Sequence, residues 1–155
     1  MGKQQAYDTV TAQITAVLDG EANMTARMAT ISCLLAETFP NRFYWTGFYV
    51  VDDVREGELV VGPYQGTLGC LRIQFGRGVC GTAAVTRQTQ IVEDVHVVKN
   101  HIACDSKANS EIVVPVEDAN GRLIAVLDID STEFGAFDHT DQINLERLLQ
   151  ATFAA

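Results

Sequence analysis

The sequence predicts an α+β fold: a central, mainly antiparallel sheet with the N- and C-terminal helices on one face and a loop-covered pocket on the other. Three observations predict it. Apolar residues recur at helical spacing near both ends of the 155-residue chain, and β-rich segments fill the stretch between. Two turn signals, Arg55-Glu56-Gly57 and Asp118-Ala119-Asn120-Gly121, join neighbouring β segments as hairpins. Hairpin-linked strands pair antiparallel, and a sheet with one apolar face buries it against helices.

Tyr7, Val10, Ile14, Val17 and Leu18 form the stripe of a first helix, stopped by Asp19-Gly20. Met24, Met28, Ile31, Leu34 and Leu35 form a second, ended by Pro40, with Cys33 beside the stripe as a buried or half-buried thiol. Arg42 to Val51 is aromatic and β-rich, and Glu58 to Gly62 is its hairpin partner. Leu71 to Phe75 alternates apolar and polar residues. Gly76 to Val85 reads as a glycine turn feeding a short helix that carries Cys80, and Ile91-Val92 begins a short strand. Asp94 to Ser110 is too polar and irregular for regular structure, and so long a loop in a compact domain is functional more often than not. Ile112 to Val116 and Leu123 to Ile129 are the last strands, before a helix capped by Asp138 or Thr140 that buries Ile143, Leu145, Leu148, Leu149 and Phe153. Residues 1–155 read as one domain, without repeat or linker.

Composition narrows the function. A net charge of −9 argues against nucleic acid and anionic lipid as partners. No apolar run approaches the roughly 20 residues a membrane-spanning helix needs. The start, Met1 to Gln5, lacks the apolar core of a signal peptide, and Ala6 stands where a myristoylation signal requires Ser or Thr. A cytoplasmic protein is therefore expected, acting on small molecules or other proteins. Its four cysteines, Cys33, Cys70, Cys80 and Cys104, are then reduced by default, and none has zinc-knuckle spacing. No metal site is predicted.

The chemistry concentrates in a few residues. Cys104 stands in a polar loop, Cys104-Asp105-Ser106-Lys107, where a thiol is open to ionisation and attack; Lys107 favours the thiolate and Asp105 opposes it. Cys70 and Cys80 lie upstream in glycine-rich settings. Asp128 and Asp130 are alternate residues of one strand and share a face, and Glu111 heads the strand before it. Acids held together raise one another's pKa and keep a proton available near neutral pH, although strand-end acids facing water have the same spacing. Trp45 and Tyr49 also share a strand face and supply either core or the wall of a small apolar pocket.

Three segments together carry a resemblance: Gly76-Arg77-Gly78-Val79-Cys80-Gly81, Cys104-Asp105-Ser106-Lys107-Ala108-Asn109-Ser110-Glu111-Ile112-Val113-Val114-Pro115, and Val126-Leu127-Asp128-Ile129-Asp130-Ser131. The chain resembles the free methionine-(R)-sulfoxide reductases, which are stand-alone GAF domains, from Tyr7 to Phe153. The resemblance implies a GAF-like fold and the thiol-dependent reduction of free L-methionine-(R)-sulfoxide through a cysteine sulfenic acid and an intramolecular disulfide. It implies that Cys104 is the nucleophile. Cys70 and Cys80 correspond to resolving thiols, with the choice between them open. Glu111, Asp128 and Asp130 correspond to the acids that hold the substrate and serve its sulfoxide oxygen, and Trp45 to an aromatic beside its methyl end. It further implies no cofactor and recycling by thioredoxin. The terminal amphipathic helices offer a surface for a homodimer. The competing expectations are a GAF-type sensor that binds a small molecule without turnover, and a redox-switch module acting on a partner protein.

Overall fold

Side-chain alternation along the central strands sorts the molecule into two layers of core. The computed structural model describes residues 2–101 and 104–155. Its elements in order are α1 (Lys3–Val17), α2 (Met24–Thr38), β1 (Trp45–Val51), β2 (Glu58–Gln65), β3 (Arg72–Gln74), α3 (Gly78–Thr86), β4 (Gln90–Val92), a 3₁₀ turn at Val95–Val97, β5 (Ser110–Glu117), β6 (Leu123–Ser131) and α4 (His139–Phe153). The strands form one sheet in the order β3-β2-β1-β6-β5-β4, antiparallel at every pairing.

Leu127, Ile129 and Ala125 of β6, Ile112, Val114 and Val116 of β5, and Phe48 of β1 point to one side. There they meet Tyr7, Val10 and Ile14 of α1, Met28, Ile31 and Leu35 of α2, and Leu145, Leu148, Leu149 and Phe153 of α4. A fully buried side chain such as Leu127 gains about 1.5–3 kcal/mol from leaving water. The intervening residues, Val126, Val113, Trp45 and Tyr49, point the other way, onto Val79, Cys80, Ala83 and Ala84 of α3. The second face is thus covered by α3 as well as by the loop the sequence pointed to. Of that loop, residues 102 and 103 lie outside the described residues.

Two helices start on side-chain caps, of which the sequence pointed only to that of α4. Asn23 accepts from the Ala26 N–H at 2.9 Å to start α2. Asp138, not Thr140, caps α4, and Asp141 reaches back to the Asp138 N–H in a capping box. The differences from expectation are local. Val17 and Met24, counted in the apolar stripes, are exposed at 58% and 42%, because they fall at the last and first positions of their helices. β1 begins at Trp45 rather than Arg42, since the Phe43 N–H bonds back to the Phe39 carbonyl at 2.8 Å and extends the turn after α2. β2 continues through Pro63 to Gln65. β3 pairs only with Glu58–Val60, so Pro63 lies where the strand has an edge and a missing donor is tolerated. Ser110 opens β5 instead of closing the loop. No helix among the described residues is long and apolar enough to cross a membrane.

Candidate functional site

Register brings the three predicted acids together. Asp128 and Asp130 project from one face of β6, and Glu111 of β5 pairs directly with Asp130. On the other flank of β6, Trp45 of β1 pairs with Asp130. Glu111 and Asp128 are each 5% exposed, and Asp130 is half-buried at the strand's end. Burial pushes all three carboxyls well above the usual range. The facing acids add to it: Asp128 acts on Glu111, Asp130 on Asp128, and Glu111 on Asp130. The cluster therefore holds protons at pH values where exposed carboxyls have lost theirs.

Around the acids stand aromatic and sulfur groups. Trp45 stacks on Tyr49 with centroids 5.5 Å apart and on Tyr64 at 4.9 Å. The Trp45 indole N–H donates to the Thr67 carbonyl at 2.9 Å, which satisfies its one polar atom. Burial, then Asp128, pushes the Tyr49 phenol up and keeps it neutral. Cys80, in the first turn of α3, is free and 4% exposed. Burial first, then Asp128, drives its thiol pKa well up, so it rests as the thiol and is a poor nucleophile. One ligand atom each from Cys80, Glu111 and Asp128 lies within 4.8 Å of the others, a set among the described residues with the spacing to hold a metal ion.

The roof is a bridge between two loops. Cys70 and Cys104 form a disulfide across 34 residues, with Cα atoms 5.3 Å apart, inside the roughly 4.4–6.8 Å range such a bond requires. Cys104 is exposed and Cys70 half-buried. A hydrogen bond runs parallel to it: the Thr67 hydroxyl donates to Asp105 Oδ2 at 2.5 Å, while the Lys107 N–H donates to Asp105 Oδ1 at 2.9 Å. The Thr67 bond, then the Lys107 N–H, holds the Asp105 carboxyl below its usual range. Asp105 thus fastens the roof, and Lys107 contributes its backbone to that turn.

The cavity beneath the bridge is about 40 Å³ and partly open to solvent. Trp45, Tyr49, Cys80 and Cys104 line it with Glu111, Asp128 and Asp130, so seven of the eight residues singled out in the sequence meet there. Cys70 is the eighth, and it closes the cavity through its bond to Cys104. Sequence reasoning missed Gly69, Arg77 and His101. A Cβ on Gly69 would stand 2.9 Å from the Trp45 ring and 3.1 Å from the Tyr49 hydroxyl, so only glycine lets the chain carry Cys70 so close over the rings. Its position next to Cys70 was the available signal. His101 Nε2 lies 3.7 Å from Glu111 Oε1, and burial, then His96, lowers its pKa. Nothing in the spacing of the histidines marked it.

Residues 25–154 match the family model of the GAF domain. The chain is 45% identical to a free methionine-R-sulfoxide reductase of Escherichia coli over 149 residues, covering 96% of this chain and 87% of that protein. It is 39% identical to a free methionine-R-sulfoxide reductase of Saccharomyces cerevisiae, over 96% of this chain and 84% of that one. Its fold superposes on the X-ray structure of free methionine-R-sulfoxide reductase from Neisseria meningitidis in complex with its substrate, with a TM-score of 0.92, 43% identity, and coverage of 98% of this chain and 89% of the other.

Proposed function

The chain belongs to the free methionine-R-sulfoxide reductases of the GAF-domain family, and we propose that the cavity beneath the Cys70–Cys104 bridge is where it carries out their reaction. It is an oxidoreductase that reduces free methionine-(R)-sulfoxide to methionine by thiol chemistry. One observation carries the assignment of the site: a disulfide-forming Cys104 shares a cavity with three mutually facing, proton-holding carboxyls.

The bridged state is the end of a cycle. A cavity of about 40 Å³ holds a few waters, at roughly 10–15 Å³ each, and no amino acid. Reduction of the bridge frees the Cys104 loop and admits substrate. Within the pocket, an ionised member of the acid cluster takes the substrate ammonium. The N-terminal turn of α3, with Gly78, Val79 and Cys80 on the cavity and Arg77 beside them, offers free N–H groups and positive charge to the carboxylate. Trp45 and Tyr49 form the apolar wall for the methyl end.

A sulfoxide sulfur becomes electrophilic when its oxygen is protonated. A carboxyl of the Glu111–Asp128–Asp130 group supplies that proton, because burial and its neighbours keep it neutral. The Cys104 thiolate attacks the sulfur, methionine leaves, and in net the oxygen passes to Cys104 as a sulfenic acid. The Cys70 thiol attacks that sulfenic sulfur, a disulfide forms, and water departs. An external dithiol then reduces the bridge and is itself oxidised to a disulfide. Cys80, held as a buried thiol, takes no part in this sequence.

Thioredoxin is the reductant in this reading, and the need for a reducing compartment makes the cytoplasm the place of action. Residues 1–155 work as one domain: α1 lies before the matched segment but packs into the shared core. A homodimer through the terminal helices would cover Val17 and Met24. The deciding assay offers both sulfoxide epimers, free and within a peptide, with a dithiol as reductant. Only the free R epimer should turn over; equal rates on the peptide would refute an enclosed site.

A further inference from the structure

The cycle leaves one buried sulfur without a task. Cys80 enters from α3, Glu111 from β5 and Asp128 from β6, and these three rigid elements place their donor atoms within 4.8 Å of one another. A second observation concerns what the donors lack. Asp128 is 5% exposed, yet its Oδ1 has no hydrogen-bond partner among the described residues. A buried carboxyl oxygen without a donor is an unmet polar group until something electropositive reaches it. The substrate ammonium answers the carboxylates, but it has no use for a thiol. A thiophilic divalent cation uses all three groups. Zinc takes cysteine sulfur at about 2.3 Å and carboxylate oxygen at about 2.0–2.2 Å, so its tetrahedral donors stand roughly 3.3–3.7 Å apart. Modest side-chain rotation closes the present spacing to that. The fourth position opens on a cavity of about 40 Å³, with room for a water.

We infer that Cys80, Glu111 and Asp128 form a binding site for a zinc-class divalent cation, and that its occupancy excludes substrate from the pocket. Binding displaces the Cys80 proton, together with the protons that Glu111 and Asp128 hold, to solvent and leaves the Cys70–Cys104 bridge untouched, so no electron changes hands. The cation is an inhibitor here, since it removes the very acids the reaction needs. The inhibitory half rests on the proposed function; the binding half does not.

The test separates the two. In the bridged form of a Cys33→Ser variant, Cys80 is the one remaining thiol of the chain's four cysteines. Cadmium chloride titrated into it should saturate at one equivalent and raise the ultraviolet charge-transfer band of a cadmium thiolate, and zinc chloride should displace it. Adding Cys80→Ser should remove the band. It should also weaken zinc binding by more than about tenfold, since even losing a partner of a ligand costs about 10–100-fold. Should that variant misfold by circular dichroism, Asp128→Asn, which keeps the thiol, should still weaken zinc binding by more than about tenfold, and an unchanged affinity overturns the site. A folded Cys33→Ser protein with no band, or a band that survives Cys80→Ser, overturns the site. In turnover-dead Cys104→Ser protein, zinc and methionine sulfoxide should each weaken the binding of the other. Simultaneous undisturbed binding would refute the inhibitory half. Failure of the sulfoxide to bind at all would count against the proposed function, while the cadmium titration still decides the site.

Discussion

Two buried aspartates, one on each side of the molecule, are treated in opposite ways. Asp141, on the helix side, is 0% exposed and its carboxylate is fully engaged. The Tyr7 hydroxyl donates to it at 2.7 Å, Lys3 Nζ stands at 2.7 Å, and the Asp138 N–H donates at 2.9 Å. Asp128, on the cavity side, faces other acids and keeps an oxygen without a partner. The first arrangement secures a fold; the second holds a proton and an unmet electrostatic demand ready for a ligand. Thr46, whose register partner is Ile129 of the helix side, also keeps an unpartnered hydroxyl. An orphaned atom alone therefore does not mark a site. The combination with facing acids does.

The sharpest break between the two sides should come from Cys104→Ser. Methionine release should fall below detection, because the serine hydroxyl is not ionised near neutral pH and forms no disulfide. In reducing buffer, where neither protein has a bridge, melting should move by no more than about 2 °C. Cys70→Ser should differ in kind: one methionine per chain in a rapid-quench experiment, then no recycling by an added dithiol. Normal recycling by Cys70→Ser would show that another thiol resolves Cys104.

Asp128→Asn comes next. Losing a positioned acid should lower the rate about 10²–10⁴-fold. Stability should respond in the opposite sense to an ordinary core mutation. Asp128's pKa is raised on folding, so the folded chain binds more protons than the unfolded one above roughly pH 4. Its contribution is therefore fully present below the unfolded pKa and is lost as pH rises through the folded one. Wild-type melting temperature should fall as pH rises from 5 to 8, and the variant should show a shallower slope. Parallel slopes would mean that the acid does not titrate as its burial implies.

Leu127→Ala tests the other side of the same strand. Residue 127 lies between Val126 and Asp128, which point to the α3 side, but itself points into the helix core and is 0% exposed. Its truncation should cost about 2–5 kcal/mol in denaturant unfolding. Turnover per folded molecule, measured in the cold, should stay within about threefold, on the order of 0.7 kcal/mol.

These expectations use information that the sequence carried unevenly. The helix side was legible because its signal is periodic: Tyr7, Val10 and Ile14, or Leu145, Leu148 and Leu149, announce one face whatever they pack against. The i, i+2 spacing of Asp128 and Asp130 likewise announced a shared face. The partnership of Glu111 with Asp130 depends on how β5 is registered on β6, a property of the folded sheet. Val17 and Met24 fit their stripes yet lie exposed, because periodicity does not say where a helix outruns the core. Gly69 and Asp105 show the limit from the other direction. One is needed for what it lacks beneath the bridge, and the other for a bond to Thr67, 38 positions away.

The smallest expected effect sharpens the comparison most. Asp138 caps α4 by accepting from the N–H groups of Thr140, at 2.9 Å, and Asp141, at 3.4 Å, and its carboxylate lies 3.2 Å from Lys3 Nζ. Asp138→Ala should cost about 1 kcal/mol, the usual worth of an N-cap. The exposed ion pair adds little to that. Because Asp141 is fixed by three other donors, the loss should stay local to the helix start, and kcat and KM should not move. A larger loss, about 3 kcal/mol or more, would mean that Asp141 had been left with a charge no longer compensated. The helix-side aspartate would then owe its burial to its neighbours, where the cavity-side one is left with an oxygen that no neighbour among the described residues satisfies.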